Sequence, residues 1–194
     1  MSAKPSSSSP RLRTASATMV AMVLALAGGW ALSAQDKYAL QVPNGLAFSE
    51  FRGYENWQVI NVGRTDGLLK VIVGNPVAME AYRSGIPSNG KPFPDGSKMA
   101  KVEWQPKKSV DAPYDIAVAG GIYDLDFMVK DSKRFGAESG GWGYAVFVND
   151  AASGTYKPGT LAHKPPQAND AKCGVACHTI AKGKDYVFTE YAPR

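Results

Sequence analysis

Both cysteines of the chain stand near its end, in Cys173-Gly174-Val175-Ala176-Cys177-His178. Two thiols this close together cannot tie distant parts of a fold, so the domain has to be held by a hydrophobic core and not by a disulfide framework. A histidine directly after the second cysteine narrows the chemistry. Two thioethers and an axial imidazole are what covalent haem attachment needs, normally with two residues between the cysteines; here there are three. The extra residue leaves both sulfurs on one turn of chain. Other readings stay open. A Cys173–Cys177 disulfide would close a very small, strained ring. Zinc would need Cys173, Cys177, His178 and His163 together, although adjacent Cys177 and His178 chelate one ion poorly. Free thiols would be exposed to oxidation in an exported protein. The cluster favours haem, with a disulfide second and zinc last. His178 is then the axial ligand. A sixth ligand would come from His163, Met79, Met99 or Met128, each equally explained as loop or core, or the position is open.

The reading as an exported protein comes from the other end. The first 14 residues are polar and serine-rich and carry Lys4, Arg11 and Arg13. An uncharged stretch follows from Ala15 to Ala34, most apolar at Met19–Ala27, with small residues near Ser33 and Ala34. This is the pattern of a secretory signal peptide over residues 1–34, the domain being 35–194. An uncut membrane anchor is the alternative. Leu12 separates the two arginines, so the twin-arginine signal is absent and general secretion to the periplasm is expected. The formal charge of +5 loses its excess with that segment, which contains no acid. A nearly balanced body lacks the clustered positive charge of a nucleic-acid surface, so no nucleic-acid partner is expected. With 44% hydrophobic and 20% charged residues over 194 positions, one ordinary core is expected.

The body reads as short strands with a few peripheral helices. Ala47–Asn56 has Phe48 and Phe51 at helical spacing and predicts a first short helix. Trp57–Val62 and Leu68–Val73 are strand-like runs around a Gly63–Gly67 loop. Asn75-Pro76 is an N-cap followed by proline at the first helical position, opening a helix with Val77, Met79, Ala81 and Tyr82 that Gly85 terminates. Ser97–Trp104 alternates, with Met99, Lys101 and Glu103 on one face and Ala100, Val102 and Trp104 on the other. Tyr114–Val129 predicts two extended runs around Gly120-Gly121. Trp142–Asn149 is a core strand, Thr160–Ala171 an extended connection, and Tyr186–Tyr191 a last strand or an aromatic plug. The fold class is α+β: a single mainly antiparallel β-sheet domain with a few peripheral helices and a C-terminal haem-attachment segment.

Several segments together carry a resemblance. They are Glu55-Asn56-Trp57-Gln58-Val59, Gly74-Asn75-Pro76 with Ala81-Tyr82, and Asp95-Gly96-Ser97-Lys98-Met99-Ala100-Lys101. To these add Val129-Lys130-Asp131-Ser132-Lys133-Arg134-Phe135 and the Cys-His segment with Asp185-Tyr186-Val187-Phe188-Thr189. In this order, from about residue 47 to the end, the chain resembles the cytochrome P-460 family and its sister group, cytochrome c′-beta. The resemblance implies a homodimer with one haem c, attached at Cys173 and Cys177 and ligated by His178. It implies oxidation of hydroxylamine or related small nitrogen species, with electrons passed to an external cytochrome. Lys101 stands where the family cross-links a lysine to the porphyrin, and Asp126 where its catalytic members have a distal carboxylate. Lys70 aligns with a family arginine near the haem, whose planar fork a lysine cannot offer. Read from the residues alone, Lys101 is equally a solvated lysine paired with Glu103, and Asp126 a surface carboxylate. The c′-beta relatives lack the cross-link and bind nitric oxide and carbon monoxide in an apolar pocket. A non-catalytic nitric oxide-binding cytochrome is therefore the alternative. Phe93 and Phe127 are candidate pocket walls.

Overall fold

Alternation along the strands gives the sheet two faces, and the fold builds a core on each. The computed structural model describes Met1 and residues 35–42, 45–65, 67–159 and 172–194, of which 35–194 belong to one compact unit. The segment read as a signal peptide and the connection carrying His163 lie outside the described residues. Among the described residues, six strands follow one another in space as they do in the chain: β1 (Gln58–Thr65), β2 (Leu68–Gly74), β3 (Lys98–Lys108), β4 (Ala117–Lys130), β5 (Trp142–Asp150) and β6 (Thr155–Pro158). Every neighbouring pair is antiparallel. The helices are α1 (Pro76–Arg83), α2 (Lys172–His178) and several short 3-10 turns. This is the single-sheet α+β domain expected. Among the described residues, no helix is long and apolar enough to cross a membrane.

One face of the sheet offers Val102, Leu125, Phe127 and Phe147 to a core completed by Phe48, Phe51 and Tyr54. Those three come from a segment expected to be one helix. The chain forms two 3-10 turns instead, Phe48–Phe51 and Tyr54–Asn56, because Gly53 takes a left-handed conformation between them. The Phe51 and Phe127 rings stack at 4.1 Å. The other face packs Ile60, Met99 and Trp142 against Met79 and Tyr82 of α1, Phe93 and the C-terminal tail. The Asn75 side chain caps α1 by accepting from the Ala78 N–H. Ala78, not Val77, turns inward.

One boundary differs from expectation, and of the two readings of the tail the plug holds. The run around Gly120-Gly121 is one 14-residue strand. Register shifts near Trp104 let β4 continue past the glycines, and a side chain at Gly120 would strike the Gln105 carbonyl. Among the described residues, the tail 186–191 pairs with no strand. It plugs the sheet instead, burying Tyr186 and Val187, while the Tyr82 hydroxyl donates to the Thr189 carbonyl at 2.9 Å.

Close packing gives one prediction about this frame. Gly143 of β5 lies directly under the Phe135 ring, leaving no room for a Cβ. Gly143→Ala is expected to cost about 1–3 kcal/mol, the range for overpacking, read as a lower denaturation midpoint with unchanged slope.

Candidate haem site

Antiparallel register gathers the polar site. Lys70 on β2 is paired with Glu103 on β3; Glu103 is paired with Asp124 on β4, and Lys101 with Asp126. Alternation sends all five side chains to the same face. The Lys101 ammonium bridges Asp126 and Glu103, the latter at 3.1 Å. Carboxylate oxygens of Glu103, Asp124 and Asp126 lie within 4.8 Å of one another. Lys70 Nζ donates to Thr65 Oγ1 at 2.7 Å.

Three carboxylates around one ammonium do not all ionise easily. Burial pushes the Asp124 carboxyl up, the neighbouring Asp126 and Glu103 push it further, and it reaches about 8. Its Oδ1 is buried with no donor among the described residues. Protonation resolves this, because the neutral acid can donate to Glu103. Burial also raises Asp126 above the usual carboxylate range, and Lys101 only partly offsets it. Burial works to lower the Lys101 pKa, but Asp126 and Glu103 outweigh it and hold the amine protonated.

The second half of the site comes from the tail. Gly174 of α2 packs on the Tyr144 ring of β5 so closely that an added Cβ would fall inside it. This contact seats α2 against the sheet. One turn on, the His178 ring lies between Tyr144 and Phe188, with centroids at 4.7 and 4.8 Å. His178 Nδ1 is 2.6 Å from the Tyr186 carbonyl, which can only accept, so Nδ1 carries the proton and Nε2 keeps its lone pair. Burial lowers the His178 pKa against the pull of that hydrogen bond, favouring the neutral, ligating form.

Both halves border one cavity of about 510 Å³. Lys70, Lys101, Asp126, Cys177 and His178 all line it. Ile72, Met99, Met128, Val146 and Val187 make its wall mostly apolar. A family model for cytochrome P460 matches residues 51–189, more than half of the chain. The chain belongs to the cytochrome P460 family. Membership implies a haem cofactor, an iron centre and a cytochrome. No curated protein matches the chain.

The residues of this cytochrome P460 family chain fit such a group. The cavity has the size and apolar lining of a cofactor pocket, and an imidazole with a free Nε2 borders it. Cys177 is exposed beside it, on the same helix. Cys173 lies within α2, but its side chain is outside the described residues, as is His163. Met79, on the buried face of α1, does not border the cavity, whereas Met99 and Met128 do. Of the two candidate phenylalanine walls, Phe127 borders the cavity and Phe93 does not. Phe93 packs edge-on to Trp142 and Tyr82, away from the cavity lining. Phe127 borders the cavity, but its ring stacks in the core of the opposite face. Alternation along β4 signals that, since Phe127 lies between Asp126 and Met128. Glu103 was visible as a neighbour of Lys101. The parts played by Asp124, Gly174 and the Tyr186 carbonyl had no signal beyond their place in the resembling segments.

Proposed function

We propose that this chain is an exported c-type haem protein that oxidises hydroxylamine or a related small nitrogen species. The observation that carries the reading is one cavity bordered both by a histidine with its Nε2 free and by the Lys101–Asp126 pair. Cys173 and Cys177 would hold one haem through thioethers, and His178 would bind its iron. The bound group would supply a redox-active iron able to take electrons from a nitrogen ligand. The chain's residues do the rest. The Tyr186 carbonyl holds the imidazole in one tautomer. Asp126, raised above the ordinary carboxylate range, is a base suited to accept a proton from the substrate. Lys101 keeps Asp126 partly ionised and is the residue available for a cross-link to the porphyrin edge. The apolar wall limits water. Partners on this reading are a small nitrogen substrate, an electron-accepting periplasmic cytochrome and a second copy of the chain.

One observation favours a second reading. The cavity is mostly apolar and Asp126 is already tied to Lys101, which suits capture of nitric oxide without turnover. The absorption spectrum of the exported protein, denatured and reduced in alkaline pyridine, separates the two. A red-shifted, perturbed spectrum is expected from a cross-linked porphyrin; an ordinary haem c spectrum moves the assignment to gas binding. No haem absorbance, in a host that matures cytochromes c, overturns both. Asp126→Asn is expected to lower hydroxylamine turnover by about 10²–10⁴-fold while carbon monoxide still binds the reduced protein. Unchanged turnover removes Asp126 from the mechanism.

A further inference from the structure

The backbone that presents the Tyr186 carbonyl to His178 is unusual. Asp185 and Tyr186 both have positive φ, 50° and 63°. Side chains other than glycine rarely adopt that region, and two in succession need outside support. Local hydrogen bonds supply part of it: Tyr186 N–H donates to the Ala181 carbonyl at 2.9 Å and Val187 N–H to that of Lys184 at 3.1 Å. The remainder comes from the sheet.

Lys130, the last residue of β4, reaches Asp185 with Nζ at 2.7 and 2.9 Å from the two carboxylate oxygens. Both side chains are nearly buried, at 7% and 11% exposure. The Asp185 carboxylate also accepts from the Phe93 N–H at 2.8 Å, and the Asp185 carbonyl from the Trp142 indole N–H at 2.8 Å. The Lys130 ammonium lies 5.2 Å from the centre of the Trp142 ring. Its backbone is held on both sides, donating to the Ser97 carbonyl and accepting from Gly96 N–H at 2.9 Å each. The left-handed turn is thus bolted to β4 and β5, neighbouring strands of the sheet.

We infer that the buried Lys130–Asp185 ion pair is the positioning element of the axial histidine, fixing the Tyr186 carbonyl on His178 Nδ1. The inference rests on the reading of His178 as the iron ligand. A buried ion pair is a poor way merely to fasten a tail, since apolar groups of similar size often serve as well or better. It does set direction, because the carboxylate is gripped by both Lys130 and the Phe93 N–H and the next peptide follows it. A histidine that donates its second nitrogen to a carbonyl is a stronger, oriented ligand. It favours the oxidised metal and so lowers the potential.

The test uses the haem-loaded protein. Lys130→Met and Asp185→Asn are compared with wild type for the one-electron midpoint potential and, by resonance Raman, for the iron–histidine stretch of the reduced form. Asn at 185 keeps the acceptor for Phe93 N–H and tolerates positive φ, so this variant carries the test if Lys130→Met does not accumulate. Both variants are expected to shift the reduced-to-oxidised ratio about tenfold toward reduced, about 59 mV upward, with a lower stretching frequency. Lys130→Arg is expected to restore part of each. Potentials and frequencies equal to wild type, even with lowered thermal stability, would make the pair structural only and overturn the inference. A wild-type protein that binds haem but shows no iron–histidine band would instead overturn His178 as ligand.

Discussion

Replacing Gly174 by valine is expected to reduce haem retention at least tenfold while the sheet stays folded. The reason is geometric. Gly174 has no side chain because the Tyr144 ring occupies that space, with ring carbons and Cβ all inside the reach of an added methyl group. Tyr144 cannot retreat: it is buried in the core strand β5. The helix must therefore move, and α2 has only seven residues. A helix of that length is not stable alone, so its docking decides whether it exists. Overpacking of about 1–3 kcal/mol is more than such a contact can absorb. Cys177 and His178 ride on the same helix and leave the cavity with it. Haem absorbance per chain, set beside the far-ultraviolet circular dichroism of the sheet, measures the effect. Full haem content in Gly174→Val would show that α2 does not need this seat.

Lys101→Met is expected to cost about 2–3 kcal/mol of stability at pH 8 and far less near pH 4. Removing the ammonium leaves Glu103, Asp124 and Asp126 facing one another, with Lys70 the remaining cation that acts on Asp126 among the described residues. Breaking a fully buried pair costs more; the Lys101 side chain is 32% exposed, so solvent screens part of the loss. The pH dependence follows from the direction of the shifts. Asp124 and Asp126 have raised pKa values in the fold, so between the ordinary carboxylate range and about 8 the folded state binds more protons than the unfolded chain. Stability therefore falls as pH rises through that window, and the dependence ends below it, where both states are protonated. Without Lys101 the carboxylates rise further and the slope steepens. Asp124→Asn, which mimics the neutral acid, is expected to flatten it. Urea midpoints at pH 4, 6 and 8 check this. A pH-independent loss in Lys101→Met would show that the carboxylates do not share the lysine.

The strands and α1 were legible because their signals are local. Alternation of Met99, Lys101 and Glu103 against Ala100, Val102 and Trp104 has the period of a strand, and Asn75-Pro76 marks a helix start wherever it occurs. The single helix expected over Ala47–Asn56 was a misreading of the same kind of evidence. Aromatic spacing fitted a helix, but Gly53 and the demand of the core for three aromatic rings broke it into two turns. Likewise Gly120-Gly121 reads as a break until the bulge beside Trp104 gives the glycines a place in the strand.

The amino-acid sequence by itself determined the antiparallel architecture, the Cys-His segment and the family, since each resides in residue order and short spacing. Register and docking were decided only by the tertiary structure. Nothing local says that Lys101 will stand across from Asp126, that Asp124 will be left with an oxygen no donor reaches, or that Gly174 will meet Tyr144. The same holds for Lys130 and Asp185, 55 positions apart, whose ion pair aims a carbonyl at His178. Such contacts depend on which strands are neighbours and how far each has slid. That choice minimises the energy of two whole cores at once, and no window of sequence contains it.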